Sequence, residues 1–540
     1  MDEKPWWQRS VIYQIYPRSF QDSDGDGIGD LRGIMNRADY LVWLGVGAVW
    51  FSPFYVSPMA DFGYDIADYL NIDPSYGSLA DFDDLVEALH GRNLRIILDF
   101  VPNHTSDEHP WFKQSRGSRD NPRRDWYIWR DPAPGGGPPN NWQSIAGGGA
   151  WQFEPATGQY YYHAFLAGQP DLNWRNPSVR EAMYEVLRFW LKRGADGFRV
   201  DAVGCLAKDP QFRDDPPNPD YRDGDPPFAR NKMEFSANRP EVHDIVAEMR
   251  RVVDAHPGEH VLIGEVYLRV EQLVPYYGAR SDGLQLPANF NLLWTPWKPE
   301  ALLELIEAYE AALPPGAWPD WVLGNHDQSR IATRLGPAQA RIAMLLLLTL
   351  RGTPTVYYGD ELGLENVAVP PDKARDPFGI NMPGLGQGRD PERSPMPWDR
   401  SANAGFTTGE PWLPLAADRQ DICVAAQRQD RRSMLTLTRE LLALRRREPA
   451  LSQGGWSPVA VEGDVLAYAR SFRGRRFVVV LNLDAMPKSI RFTEPLSGRI
   501  ELTTHARRHR RVTQRGLRLS GNEGVVIACA GGEPERAGRP

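Results

Sequence analysis

Three short apolar runs in this sequence each end in a carboxylate: GFRVD at Asp201, VLIGE at Glu265 and VLGNHD at Asp327. One aspartate after a strand is ordinarily a helix cap or a turn residue. Three at matching positions form a set that can do nucleophilic and acid–base chemistry together. Cleaving a glycosidic bond with retention needs two such groups about 5–5.5 Å apart, one attacking the anomeric carbon and one protonating the leaving oxygen. Arg199 and Asp201 are two apart in a strand and share a face, so the guanidinium favours the ionised Asp201 that a nucleophile requires. Glu265 follows apolar and small residues with no basic partner in its own strand, as expected of a carboxyl that holds its proton near neutral pH. His326 precedes Asp327 and His104 follows Asn103, and both are candidates to hydrogen-bond sugar hydroxyls. A metal at the site of reaction is not expected from the histidines.

These groups act together only if a fold gathers them. Short β-rich stretches read at 11–15, 48–51, 95–100, 197–200, 261–264, 286–290, 321–324 and 353–358. Amphipathic helices lie between them. From Ser78 to His90 there is a serine cap, Asp81 three residues on, Phe82, Leu85, Val86 and Leu89 on one face, and Gly91 as a stop. Asn176 and Pro177 open another, with Val179, Met183, Val186, Leu187, Trp190 and Leu191 on one stripe. Eight strands alternating with helices predict an α/β fold, a closed (β/α)8 barrel, with the reactive groups at the C-terminal ends of its strands. Two stretches break the rhythm. Residues 104–168, rich in Gly, Pro, Trp and Tyr, predict a small irregular domain inserted after the third strand. From 453 to 540, strands such as VLAYARSF and RRFVVVLNL predict a C-terminal antiparallel β-domain, leaving 1–103 and 169–452 to the barrel.

The run DSDGDGIGD is a separate acidic constellation. It has the first half of a calcium loop: Asp22, Asp24 and Asp26 at positions 1, 3 and 5, glycine at 6, the Ile28 carbonyl at 7 and Asp30 at 9. Position 12 is Gly33 rather than a bidentate glutamate, so the run is not an EF-hand. Hard oxygen ligands select Ca²⁺ or Mg²⁺, here as a structural brace for the first strand–helix loop.

The composition of the 540-residue chain excludes several alternatives. A net charge of -8 disfavours nucleic acid as a partner, and the one basic stretch, 505–518, reads as a solvated strand face. Cys205, Cys423 and Cys529 are too far apart for a disulfide framework or zinc site. The acidic start MDEKPWWQRS lacks the apolar core of a signal peptide, and the longest apolar run, AMLLLLTL, is too short for a membrane span, so the expected location is the cytoplasm. The expected oligomeric state is a monomer or homodimer.

DFVPNH (99–104), GFRVD (197–201), GEV (264–266) and GNHD (324–327) resemble the four sequence regions of the α-amylase family, glycoside hydrolase family 13. QPDLNW (169–174) and the opening stretch from Trp6 to Ile34 are similar to its α-glucosidase and oligo-1,6-glucosidase branch, and the match runs in order from about residue 5 to 450. The resemblance implies Asp201 as nucleophile, Glu265 as acid/base and Asp327 as a third carboxylate gripping sugar hydroxyls, with Tyr64, His104, Arg199 and His326 around the first sugar. It implies an ion pair of Asp61 with Arg393 that closes the pocket behind a terminal glucose, hence exo action. It implies a structural Ca²⁺ in the 22–30 loop. The chain departs from the family where Phe-Gly-Gly is usual and Ala146-Gly147-Gly148 stands instead; Phe165 and Phe153 are the candidates to replace that wall.

Two features bear on substrate. The Pro- and Asp-rich segment from Leu206 to Arg239 resembles the extended loop of bacterial α-glucosidases that prefer disaccharides and transfer glucose, and is expected to cover the active-site mouth. Ala202, directly after the nucleophile, resembles the α-1,4-preferring members, where Val accompanies α-1,6 preference. The resulting expectation is a retaining exo-α-glucosidase acting on short α-1,4 glucosides such as maltose and passing glucose to water or hydroxyl acceptors. The alternatives are an oligo-1,6-glucosidase or a sucrose- or trehalose-active glucosyltransferase on the same barrel. Non-enzymatic transporter-associated relatives would carry a membrane helix and lack the full carboxylate set.

Overall fold

The computed structural model describes residues 4–505 and 511–530. Eight parallel strands close into a barrel: β1 (Ile12–Ile15), β2 (Ala48–Phe51), β3 (Arg95–Phe100), β4 (Gly197–Val200), β5 (Val261–Val266), β6 (Leu286–Asn289), β7 (Asp320–Val322) and β8 (Thr353–Tyr357). Each pairs with the next, and β8 pairs back onto β1. Alternate side chains point inward, so Ile12, Ala48, Trp50, Ile97, Ile263, Leu286, Ala288 and Val322 fill the interior as one buried cluster. The residues two further along the same strands continue that face. Asp99 follows Ile97, Arg199 follows Gly197 and Glu265 follows Ile263, which is why polar groups gather at the top of an apolar plug. Gly197 is fixed by packing: a Cβ there would lie 2.5 Å from the Val261 carbonyl oxygen.

The helix expected after Ser78 spans Leu79–His90 and has the capping box, with the Ser78 hydroxyl and the Asp81 carboxylate each serving the other's backbone N–H. Its stop differs. Gly91 has φ -60°, and Asn93 takes the left-handed turn at φ 59°. Asn176 caps Pro177–Lys192 as expected. β5 runs two residues past its predicted end, so Glu265 lies within the strand. β7 stops at Val322, and Asp327 comes from a loop. There the Leu323 carbonyl accepts from the Arg334 side chain, and Asn325 Oδ1 accepts the Asp327 N–H at 3.0 Å, a side-chain turn instead of a ladder.

Between β3 and β4 lies a three-stranded antiparallel sheet of Trp129–Arg130, Trp151–Glu154 and Gln159–Tyr162, amid irregular chain. After the barrel, β9 (Gly455–Glu462), β10 (Val465–Phe472), β11 (Arg475–Asn482), β12 (Lys488–Thr503), β13 (Arg511–Leu519) and β14 (Gly524–Cys529) form an antiparallel sheet in the order β9-β10-β11-β14-β12-β13. Part of the basic stretch, 506–510, lies outside the described residues. All three cysteines are free, and no described helix is long and apolar enough to cross a membrane.

Candidate active site

Arg199 sits at the centre of the strand-end cluster. Its Nη1 is 2.9 Å from Asp99 Oδ1 and 2.5 Å from Asp201 Oδ1, and its Nη2 is 2.5 Å from Glu265 Oε1. Glu265 Oε2 also accepts the Ala202 backbone N–H at 2.9 Å. Val200 and Gly264 are register partners, so Asp201 and Glu265 are the next pair along the β4–β5 ladder. Adjacent strands lie about 4.8 Å apart, close to the carboxyl separation that retention needs. Burial raises the proton affinity of both Asp201 and Glu265, and the shared guanidinium works against it. Glu265 has no basic partner in its own strand, but it gains one, Arg199, from the neighbouring strand.

Asp327 has a different environment. Burial opposes its charge, but the Arg389 and Arg393 guanidiniums beside it hold its carboxyl well below the ordinary range. Arg393 Nη2 is 2.8 Å and Arg389 Nη1 3.1 Å from Asp327 Oδ1. Burial keeps His326 neutral. Its Nδ1 is 2.8 Å from the Gln14 amide nitrogen, which leaves the proton on Nε2, and that atom has no hydrogen-bond partner among the described residues. His326 Nε2 lies 3.4 Å from Asp327 Oδ2, so its N–H sits beside that carboxylate. The Tyr64 ring stacks on His326 at 5.2 Å, and its hydroxyl donates to Asp99 Oδ2 at 3.0 Å.

A cavity of about 640 Å³ opens over this cluster, in the range of small-ligand sites. Asp61, Tyr64, His104, Phe165, Asp201, Ala202, Glu265 and Asp327 line it, joined by Arg389. Three sequence expectations are corrected. Asp61 pairs with Arg389, at 2.6 Å, and not with Arg393, which is buried beneath the site and donates to the His326 carbonyl at 2.8 Å. His104 spends both nitrogens inside the protein, Nε2 on the Tyr64 carbonyl at 3.0 Å and Nδ1 on Asn103 at 3.2 Å, so it serves as wall rather than as a free donor. Phe153 is 39 % exposed and away from the cavity, whereas Phe165 lies against His104 at 5.2 Å and, with Ile145, supplies the wall beside Ala146.

The chain belongs to the α-amylase family. The family model described as "Alpha amylase, catalytic domain" matches residues 14–454. The chain is 40% identical over 516 residues to "Probable alpha-glucosidase" of Rhizobium meliloti (strain 1021), covering 92% of this chain and 93% of that protein. It is 37% identical over 517 residues to "Oligo-1,6-glucosidase" of Parageobacillus thermoglucosidasius, covering 89% and 91%. Among solved structures, the α-glucosyl transfer enzyme XgtA superposes with TM-score 0.92 at 41% identity, covering 98% of this chain and 100% of that one. It is thus a glycoside hydrolase with the retaining double-displacement chemistry general to α-amylase family members.

Within this α-amylase family site, sequence reasoning missed four residues. Asp99 binds Arg199 and accepts from Tyr64 and from Trp50 Nε1, and burial raises its carboxyl to about 6. Its place two residues after an inward Ile97 was the available signal. Arg389 and Asp376 gave none, while Gln169 opens the QPDLNW motif. Arg389 Nη2 lies 2.6 Å from Asp376, and Gln169 Nε2 donates to Asp61 Oδ2 at 3.1 Å, which gives the QPDLNW motif its task of holding Asp61. The spacing of His256 and His260 does match a metal-ligand pair, but they lie just before β5, at the opposite strand end from Glu265.

The expected mouth segment is ordered. Trp142 Nε1 donates to the Arg213 carbonyl at 2.9 Å, and Asp215 accepts from Phe235 N at 2.6 Å and Ser236 Oγ at 2.5 Å. Buried Lys208 pairs with Asp171 and donates to Asn103 Oδ1 at 2.9 Å, tying the segment to the loop after β3. Phe228, Met233, Ala237 and Asn238 from it line the cavity.

In the 22–30 loop, carboxylate oxygens of Asp22, Asp24 and Asp30 lie within 4.8 Å of one another. The Asp26 side chain instead accepts the Ile28 N–H at 2.7 Å.

Proposed function

We propose that this protein is an exo-acting α-glucosidase that releases α-glucose from short α-1,4 glucosides such as maltose and transfers it to hydroxyl acceptors. The observation that carries the reading is the Asp61–Arg389 ion pair beside the Asp201–Arg199–Glu265 cluster. A buried pair of this kind blocks the inner end of the pocket, so only a chain end fits. Asp201 attacks the anomeric carbon, the C1–O bond breaks, and Glu265 gives its proton to the leaving oxygen. Water or an alcohol then attacks C1, Glu265 takes its proton, and the ester to Asp201 is released. Arg199 holds both carboxyls in register, and Asp327 and His326 grip the sugar hydroxyls. The XgtA likeness supports transfer. The test is chain-length dependence: kcat/KM is expected to be highest on maltose, with glucose as the product from soluble starch and little fall in viscosity. Rapid viscosity loss, or a steady rise in kcat/KM to maltotetraose, would refute exo action on disaccharides.

Linkage preference is read at Ala202. It holds a left-handed conformation, φ 42° and ψ 37°, at the pocket wall. Small apolar contacts of this kind discriminate by about 10- to 200-fold. Maltose is expected to be cleaved at least several-fold more efficiently than isomaltose, and Ala202→Val to move the ratio toward isomaltose. Valine at positive φ costs roughly 1–2 kcal/mol, so the ratio of the two kcat/KM values, and not absolute activity, is the measure. An unmoved ratio would place linkage reading elsewhere.

The donor set of the 22–30 loop fits a hard divalent cation, with Asp22, Asp24 and Asp30 as ligands, Ca²⁺ or Mg²⁺ supplying charge neutralisation and no chemistry. Burial raises the Asp30 carboxyl, whereas hydrogen bonds from Thr407 and the backbone N–H groups of Gly25 and Gly27 outweigh burial and lower that of Asp22. Removing the metal with EDTA is expected to lower Tm by several degrees, reversed by added Ca²⁺ at concentrations well above Kd. A Tm indifferent to both treatments would contradict a bound metal.

A further inference from the structure

Gln14 is a fully buried amide inside the barrel, two residues beyond Ile12 on β1 and in register with Trp50 on β2. Its Nε2 lies 2.8 Å from His326 Nδ1 and 3.2 Å from Ser52 Oγ, and its Oε1 has no partner among the described residues. An amide in an apolar plug costs free energy wherever a hydrogen bond is left unmade. Packing therefore does not account for a glutamine at this position. The bond it makes to the imidazole does.

The His326 ring is held on three sides. Tyr64 stacks on it at 5.2 Å with 5° between the planes, Tyr16 at 5.7 Å with 24°, and Trp50 meets it edge-on at 6.3 Å. With the ring fixed and neutral, the position of its one proton is the freedom left. Nδ1 faces Gln14, and Nε2 faces Asp327 Oδ2 at 3.4 Å. An amide N–H presented to Nδ1 puts the ring proton on Nε2, against the carboxylate. The amide oxygen in its place would put the proton on Nδ1 and set a lone pair against Asp327. Asp327 Oδ1 is occupied by Arg389 and Arg393, so Oδ2 is the oxygen that the imidazole alone supports.

We propose that Gln14 is a positioning residue that sets the tautomer of His326, so that the far N–H of the ring holds the Asp327 carboxylate ready for the sugar. Gln14 itself touches no substrate and acts through two intermediaries. This rests on the exo-α-glucosidase reading, in which Asp327 grips the glucose.

The test is Gln14→Glu, which keeps the shape and replaces the amide N–H by a carboxylate oxygen. The charged groups already around His326 are Asp327 from its own loop, Arg199 from β4, and Arg389 and Arg393 after β8, with Tyr16 and Tyr64 on its faces. A carboxylate at Nδ1 draws the ring proton to that side. At low pH the imidazolium still carries a proton on Nε2; as pH rises the ring loses that proton and keeps the one on Nδ1. The alkaline limb of kcat/KM on maltose, measured from about pH 5 to about pH 8, is therefore expected to move down by about one unit, about tenfold in rate at its upper end. An added charge acting on Glu265 alone would raise the proton affinity of that acid and move the limb up. Gln14→Met, which removes the donor without drawing the proton, should lose activity severalfold with the wild-type profile. NMR of ¹⁵N-histidine-labelled wild-type protein, with the His326 signals identified by their loss in His326→Asn, should show the proton on Nε2.

A limb that stays or moves up in Gln14→Glu overturns the inference, as do equal losses in both variants with the wild-type profile. A ring proton on Nδ1 in the wild type overturns it too, and this result decides alone if Gln14→Glu does not fold. Failure of the wild type to hydrolyse maltose overturns the exo-glucosidase reading instead, with the tautomer still read by NMR.

Discussion

Asp201→Asn is expected to lower turnover of maltose by on the order of 10⁴-fold or more, because an amide cannot form the glucosyl ester. The substitution keeps shape and a hydrogen-bond acceptor for Arg199, and the guanidinium retains Asp99 at 2.9 Å and Glu265 at 2.5 Å, so the thermal midpoint should move little. Glu265→Gln should behave differently. It removes proton donation to the leaving oxygen, which matters for maltose and far less for an aryl glucoside whose phenolate leaves unaided. Steady-state rates on maltose and on p-nitrophenyl α-glucoside check both. Activity of Asp201→Asn within tenfold of the parent would refute its role.

The contrast between these two carboxyls was only half legible in the sequence. The strand ends themselves were: inward apolar residues at every second position locate Ile97, Ile263 and Val322 in the plug, and the polar residues that follow must cap it. What periodicity cannot show is which neighbour a side chain meets across the ladder. A shared strand pairs Arg199 with Asp201, yet Arg199 reaches Glu265 equally closely from β4 to β5. Asp99 was visible in the DFVPNH run, but its role appears only when Tyr64, Trp50 and Arg199 converge on it from three other segments.

Arg389→Ala is the second large effect. Its guanidinium is buried and lies 2.6 Å from Asp61, 2.6 Å from Asp376 and 3.1 Å from Asp327. Removing it leaves three carboxylates facing one another with a single arginine, Arg393, beside Asp327 and 4.0 Å from Asp376. Breaking a buried pair in this way costs about 3–5 kcal/mol. The expected outcome is a marked fall in Tm and a fall in kcat/KM on maltose of about 10²-fold or more, dominated by KM because the wall behind the glucose is lost. Arg389→Lys keeps the charge but not the fork and should recover part of both. Calorimetry and kinetics on the two variants check this; wild-type KM in Arg389→Ala would show that the pair does not bound the glucose site.

The choice between Arg389 and Arg393 illustrates a limit of motif transfer. Both arginines lie in one short run, RDPER, and both bind Asp327, so the family pattern specifies the neighbourhood but not the partner of Asp61. The turn at Asp390–Arg393 settles it by placing Arg389 at the cavity wall and Arg393 beneath, under the His326 carbonyl. The ordered mouth segment was unreadable for another reason. Its anchors, Trp142 to Arg213 and Lys208 to Asp171, join residues from separate parts of the chain and follow no periodicity.

Asp201 and Glu265 are two buried carboxyls on one guanidinium, and the proposed division of labour gives them opposite responses to an external nucleophile. Azide rescue of alanine variants separates them. Without the acid/base, the glucosyl ester on Asp201 still forms from an aryl glucoside, and azide displaces it with a second inversion. Glu265→Ala with azide is therefore expected to yield α-glucosyl azide. Without the nucleophile, azide attacks the substrate directly from the vacated side, so Asp201→Ala is expected to yield β-glucosyl azide. The anomeric configuration of each product, read by NMR, decides the matter: α from Glu265→Ala and β from Asp201→Ala bears out the assignment, and the reverse pairing would contradict it.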